Sequence, residues 1–173
     1  MKTPHIRDER PEDIRAIYEL TSLAFQNHPY SQHTEQLIID ALRDAGALTI
    51  SLVAELDGQV VGHVAVSPVS ISDSSMNWFG LGPISVTPDK QRQGIGSMLM
   101  RAVIERMKTL GGKGCVLVGD RAFYGRFGFQ NPLELTHEGV PQEFVLALNF
   151  DLRPEARMPK GAVTFHSAFL VTA

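Results

Sequence analysis

Gln91, Gly94 and Gly96 stand in the run Gln91-Arg92-Gln93-Gly94-Ile95-Gly96-Ser97, just past an apolar stretch that closes at Pro88. The first turn of a helix carries four backbone N–H groups without intrahelical partners, at the positive end of the helix dipole. Glycines at that place let an anion reach the backbone, because no Cβ stands in the way. The segment is therefore expected to cradle a phosphate-bearing ligand. It is not the dinucleotide fingerprint, because Leu99 occupies the place of the third glycine, and it lacks the Gly-Lys-Ser/Thr of a Walker loop. The plainer reading is a helix N-capped by Asp89 with two incidental glycines. Against it, each glycine near a helix start costs up to about 1 kcal/mol relative to alanine. The expected first turn also holds Arg92 and no acid, the reverse of what the dipole favours.

Two further segments carry chemistry. In Gly82-Pro83-Ile84-Ser85-Val86, Pro83 has no N–H, so a ladder to one neighbouring strand must lapse there. This is either a bulge on an edge strand or a strand that splays from its neighbour. In the second case the amides of Ile84 and Val86 face the gap, and an amide-containing ligand arm could pair with them as an added strand does. The other segment is Asp120-Arg121-Ala122-Phe123-Tyr124-Gly125-Arg126-Phe127-Gly128-Phe129. A tyrosine hydroxyl facing a cleft can give a proton to a leaving group, whereas the same rings could simply fill core. Cys115, the only cysteine, lies in an apolar run and reads as inert core rather than a nucleophile.

The elements that must position these residues follow from periodicity and punctuation. A short strand at 5–7 precedes a helix over 11–26, started by Pro11 and two acids, and a second helix over 34–44. A strand over 49–56 meets a strand over 59–71 through Asp57-Gly58, a hairpin signal, with Pro68 expected at a bulge or edge. A strand over 76–86 leads to a long helix from 91 or 92 to 110. Its buried stripe is Ile95, Leu99, Val103 (or Ala102), Met107 and Leu110, and Gly111-Gly112 ends it. A buried strand over 115–118, a short helix over 121–127 and strands over 142–150 and 162–171 complete the chain. The strand–helix–strand unit over 76–118 implies a parallel pair within a mixed α/β sheet.

With 173 residues and no linker or low-complexity tract, residues 1–173 are expected to form one domain. A net charge of -3 without any Lys/Arg run argues against a nucleic-acid partner, and no stretch approaches the roughly 20 apolar residues of a membrane span. A single cysteine excludes an intramolecular disulfide and cysteine-pair metal sites, and His33, His137 and His166 lack metal-ligand spacing. No metal is expected. The first twelve residues lack the apolar core of a secretory signal, so the expected location is cytoplasmic.

Taken together, the three segments resemble the GNAT superfamily of acetyl-CoA-dependent N-acetyltransferases. The matching core runs over about 60–129. Gln91-x-x-Gly94-x-Gly96 matches the family's pyrophosphate loop, and Tyr124-Gly125-Arg126-Phe127-Gly128-Phe129 matches its Tyr-x-x-x-Gly-Phe signature. The runs Gly62 to Val69 and Leu81 to Val86 resemble an uncharacterised bacterial subgroup. The resemblance implies a central, mostly antiparallel twisted sheet of about six to seven strands, with a splayed parallel pair at strands 4 and 5 and about four flanking helices.

It also implies roles. Backbone N–H groups of Gln91, Arg92, Gln93, Gly94, Ile95, Gly96 and Ser97 would hold the pyrophosphate of coenzyme A. Ile84, Ser85 and Val86 would line its pantetheine arm, and the Ile84 amide would polarise the acetyl carbonyl. Tyr124 would protonate the departing thiolate, and Phe123 and Phe127 would pack beside the cosubstrate. Acetyl transfer to an amine would then be direct, resting on positioning and fixed dipoles. A glutamate that some family members keep near the start of the fourth strand is missing: Phe79-Gly80-Leu81 holds no carboxylate. His63, Glu35 and His28, or water, are the candidates for the base. The acceptor, a small-molecule or peptide amine, is set by the 27–33 loop, the second helix and the C-terminal strands. A monomer or homodimer is expected. The alternative function is a non-catalytic acyl-CoA-binding or sensing module; an unrelated nucleotide-binding protein is a third.

Overall fold

The computed structural model describes residues 2–173. Along the chain come β1 (His5–Asp8), α1 (Ile14–Phe25), α2 (Glu35–Asp44), β2 (Ile50–Leu56), β3 (Gln59–Ile71), β4 (Trp78–Val86), α3 (Ile95–Thr109), β5 (Gly114–Val118), α4 (Arg121–Tyr124), β6 (Leu135–Thr136), β7 (Val145–Asn149) and β8 (Gly161–Phe165). The main sheet runs β1-β2-β3-β4-β5-β7, while β8 pairs with the far end of β3 and β6 pairs with β8. The β4–β5 pair is parallel, as the strand–helix–strand reading requires, and so is the short β6–β8 pair. This is the mixed, mostly antiparallel sheet expected, with the two-residue β6 as an extra strand.

Local chemistry explains the joints. Asp57 and Gly58 both take positive φ, 51° and 77°, which is the two-residue hairpin turn that the sequence announces. Pro68 is the last β3 residue opposite β4, at Phe79, and from Val69 onward β3 pairs with β8. Lacking an N–H, Pro68 marks a change of partner rather than a bulge or an outer edge. The bulge lies on β4 instead. Val64 faces Ile84 but Val66 faces Leu81, so Gly82 and Pro83 together oppose one β3 residue.

Alternation along β3 divides the layers. Val64 and Val66 join α3 residues Ile95, Leu99 and Val103 in the main core cluster. Ala65, on the other face, packs with Ile17 of α1 and Ile39 of α2. Contact with α3 is close enough that a Cβ on Gly62 would stand 3.0 Å from Leu99 Cδ1. Ile95, Leu99, Met100, Val103, Ile104 and Met107 form the buried face of α3. Leu110 does not extend it: at 54% exposure it lies past the last turn, where Gly111 (φ 82°) leads the chain away.

Other boundaries differ for local reasons. Residues 91–94 form a loop and α3 begins only at Ile95, because Gly94 takes a left-handed φ of 88°. Residues Pro11–Asp13 form a 3-10 turn ahead of α1. Asn77 has φ 63°, so the fourth strand starts at Trp78. Gln142–Phe144 is a 3-10 turn after Pro141, leaving Val145–Asn149 as strand. The last strand stops at Phe165, where His166 Nδ1 accepts from the Ala168 N–H at 3.1 Å and caps a closing 3-10 turn.

Candidate active site

The β4–β5 ladder holds only three pairs, Trp78–Gly114, Phe79–Cys115 and Gly80–Val116. Beyond Gly80, β4 continues along β3 while β5 continues along β7, so the two strands part. β4 is paired on both sides up to Gly80 and only with β3 beyond it, so Pro83 joins the two readings: it sits in a bulge, on a stretch that splays from β5. The direction of its amides follows from one bond. Thr87 N–H donates to the Val61 carbonyl of β3 at 2.9 Å. Amides alternate along a strand, so Ser85 also points to β3, while Ile84 and Val86 present theirs to the gap. The Ser85 side chain is buried on the α1 side, where its hydroxyl and that of Thr21 lie 3.2 Å apart.

At the mouth of the gap lies the glycine loop. Its first amide is occupied, since Gln91 N–H donates to the Pro88 carbonyl at 3.4 Å. The Gln91 side chain donates to the Val86 carbonyl at 3.1 Å, tying the loop to β4. From Arg92 to Ser97 no backbone N–H donates to another described residue, and the first α3 bond is Met98 N–H to the Gly94 carbonyl. Asp89 makes no cap, and Arg92, with φ 62°, belongs to the loop rather than to the helix. The free set of amides is thus Arg92, Gln93, Gly94, Ile95, Gly96 and Ser97. A Cβ on Gly94 would meet no atom of the described residues within 4 Å, so among them this backbone opens onto free space.

The aromatic segment closes the third side. Asp120 caps α4 by accepting from the Ala122 N–H at 2.8 Å. A Cβ on Gly96 would stand 3.5 Å from Phe123 and 4.0 Å from Val86, so α3, α4 and β4 converge there. Phe123 meets Tyr124 edge-on at 4.9 Å and Phe127 at 5.4 Å. Tyr124 also leans on the backbone of Gly119, where a Cβ would collide with its ring. Burial raises the Tyr124 hydroxyl to about 12, and the hydroxyl has no hydrogen-bond partner among the described residues. It therefore stays protonated at neutral pH. Ile84, Val86, Phe123, Tyr124 and Phe127 all pack against the one core cluster that contains the start of α3.

The three candidate bases fare differently. His63 is fully buried on the α1/α2 face, and its Nε2 shares a hydrogen bond with Ser51 Oγ at 2.7 Å. Burial, with a smaller contribution from the nearby Arg43 charge, lowers its pKa to about 3. It is a neutral core histidine and not a solvent-linked base. Glu35 Oε1 accepts from Ser31 Oγ at 2.5 Å, while its Oε2 is buried without a partner. His28 is exposed between Phe25 and Tyr30.

Two predictions arise here. Unfolded His63 takes up a proton near its ordinary pKa of 6.5, but the folded residue resists until about 3. Within that window the unfolded state binds more protons, so stability falls as pH falls, by about 2 kcal/mol at pH 5. Urea denaturation at pH 7 and pH 5 should show this loss in the wild type and a smaller one in His63→Gln. Cys115, in the middle of the β4–β5–β7 ladders, is completely buried and its thiol is pushed far above the usual range by desolvation. It should resist iodoacetamide in the native protein and react once the chain is unfolded in guanidinium. Native labelling at the rate of an exposed thiol would contradict its placement.

Comparison with known proteins gives the family. A family model described as "Acetyltransferase (GNAT) domain" matches residues 5–131. The uncharacterised N-acetyltransferase YhbS of Escherichia coli K12 is 35% identical over 126 residues, covering 72% of each chain. A GNAT family acetyltransferase from Brucella melitensis, solved in complex with acetyl-CoA, is 44% identical with a TM-score of 0.83, covering 96% of this chain and 97% of its own. The E. coli YhbS structure, in complex with CoA, is 29% identical with a TM-score of 0.88, covering 100% of this chain and 95% of its own. This chain belongs to the GNAT acetyltransferase family, whose members take their acyl group from acetyl-CoA.

Proposed function

We propose that the chain, as one domain over residues 1–173, transfers an acetyl group from acetyl-CoA to a primary amine of a small molecule or peptide by direct attack. One observation carries the reading. The β4–β5 ladder stops at Gly80 and Val116 while β4 runs on, beside a loop whose six successive amides have no acceptor among the described residues. That combination suits a ligand with an amide-bearing arm at one end and a diphosphate at the other, which describes coenzyme A.

The free amides from Arg92 to Ser97, with the dipole of α3 behind them, bind the diphosphate. Ile84 and Val86 donate to the pantetheine arm in place of β5, and the Ile84 amide stabilises charge developing on the thioester oxygen. Tyr124 holds a proton at its hydroxyl for the departing sulfur. Desolvation moves phenol and thiol in the same direction, so the donor remains matched to its acceptor. A C–N bond forms as the C–S bond breaks, and no covalent enzyme intermediate is required. The amine's own proton leaves to solvent, His28 or Glu35, since His63 is sealed in the core.

The test is protein-dependent thiol release from acetyl-CoA across a panel of small amines, polyamines and peptide N-termini. The reading expects at least one class to yield thiol and N-acetyl product in equal amounts. Coenzyme A binding without turnover on any class would instead favour the acyl-CoA-binding module. Tight ATP binding with no coenzyme A binding would overturn the assignment of the nucleotide.

A further inference from the structure

The rim of this cleft carries charge that the protein leaves unneutralised. Arg7, Arg15, Arg43, Arg106 and Arg153 each lie against a carboxylate. Arg10, Arg92, Arg101, Arg121, Arg126 and Arg157 form no ion pair among the described residues, and of these Arg101 and Arg126 are exposed and lie over aromatic rings. They are also held in place. The Arg126 guanidinium lies over the Phe123 ring, 4.8 Å from its centroid, and its Nε donates to the Phe123 carbonyl at 3.3 Å. The terminal nitrogens of Arg126 are left without partners among the described residues. Arg101 lies over the Phe127 ring, 5.9 Å from its centroid. The two rings pack against each other at 5.4 Å and are half-buried, so a half-open aromatic platform stands between two guanidinium groups.

This platform adjoins the free amides, because Phe123 is the side chain nearest Gly96. Arg101 follows Gly96 by five residues on the same helix, about 7.5 Å along the axis. The amides already serve a diphosphate through backbone donors and the helix dipole. The two arginines are surplus to that task. Guanidinium forks suit phosphate oxygens, and stacking on an aromatic ring orients the fork in advance. Flat rings beside them suit a purine base.

We infer that Arg101 and Arg126, flanking the Phe123–Phe127 ring pair, recognise the phosphate on the ribose of coenzyme A, so that the protein discriminates coenzyme A from dephospho-coenzyme A. This rests on the coenzyme A reading above and adds a specificity determinant to it. The acceptor amine plays no part, so binding alone tests it.

Calorimetry with coenzyme A, dephospho-coenzyme A and adenosine 3′,5′-bisphosphate, on wild type, Arg101→Gln, Arg126→Gln and the double variant, gives the answer. The wild type should bind coenzyme A at least about tenfold more tightly than the dephospho form, as charge-assisted phosphate contacts imply. The double variant should narrow that ratio to below about threefold while its affinity for dephospho-coenzyme A stays within about twofold of wild type. Adenosine 3′,5′-bisphosphate should bind the wild type and weaken in the double variant. Raising salt should narrow the wild-type ratio, because the contacts are exposed. Equal wild-type affinity for the two forms, or an unchanged ratio in the double variant, overturns the inference. So does a parallel loss for both forms, which would assign the arginines to base stacking alone. A wild type that binds neither form contradicts the coenzyme A reading itself.

Discussion

Gly94→Glu is expected to weaken coenzyme A binding by at least about 100-fold, with the fold retained. Three effects act together. At φ 88° a glutamate is strained, by about 1–2 kcal/mol for an ordinary L-residue in the left-handed region. The Cβ itself meets nothing of the described residues within 4 Å, so the fold tolerates it and the added bulk enters the space assigned to the ligand. The carboxylate then faces a diphosphate. Like charges about 4 Å apart repel by about 4 kcal/mol at the effective dielectric of a protein surface, and about 1.4 kcal/mol is a tenfold change in affinity. Gly94→Asn separates these contributions, because asparagine tolerates left-handed backbone and carries no charge; it should cost about tenfold or less. Calorimetry on the two variants, with circular dichroism to check the fold, is the measurement. Wild-type affinity in Gly94→Glu would remove the diphosphate from the loop.

Tyr124→Phe should lower kcat by about 100-fold, at the low end of what a positioned proton donor contributes. The variant keeps the ring that packs against Phe123, Phe129 and the Gly119 backbone, so positioning of the cleft is preserved. Coenzyme A affinity should therefore stay within about twofold. The pH profile adds a signature. Since burial lifts the hydroxyl to about 12, wild-type turnover should not fall from loss of this proton between about pH 8 and 10. Unaltered kcat in Tyr124→Phe would take the proton donor out of the account.

Much of the candidate site is legible because it is local. The glycine loop, the proline in the fourth strand and the Tyr-x-x-x-Gly-Phe run each lie within ten residues, and the strand–helix–strand unit joins them. The sequence sets the helix start at 91 or 92, because nothing in the composition of residues 91–94 reveals that Gly94 takes positive φ and delays α3 to Ile95. Leu110 keeps helical spacing after Met107 yet falls outside the helix, so periodicity overran a terminus that packing sets. Pairing at long range was the least readable. The addition of β8 to β3 beyond Pro68 joins residues about a hundred apart, and no local signal encodes it. The fate of charges is equally non-local. Arg106 looks like Arg101 in sequence, but only Arg106 finds Asp8 across the fold. Likewise, only the burial of His63 between the sheet and α1/α2 removes it from the list of bases.

The central claim is that coenzyme A lies against the free backbone N–H groups between Arg92 and Ser97 and against those of Ile84 and Val86. Amide-resolved NMR on 15N-labelled protein titrated with coenzyme A reads those groups one by one. The account predicts that the largest shifts fall on Gly94, Ile95, Gly96 and Ser97, with Ile84 and Val86 moving at the same ligand concentration. Saturable binding that leaves these amides in place, while a different cluster shifts, would contradict it.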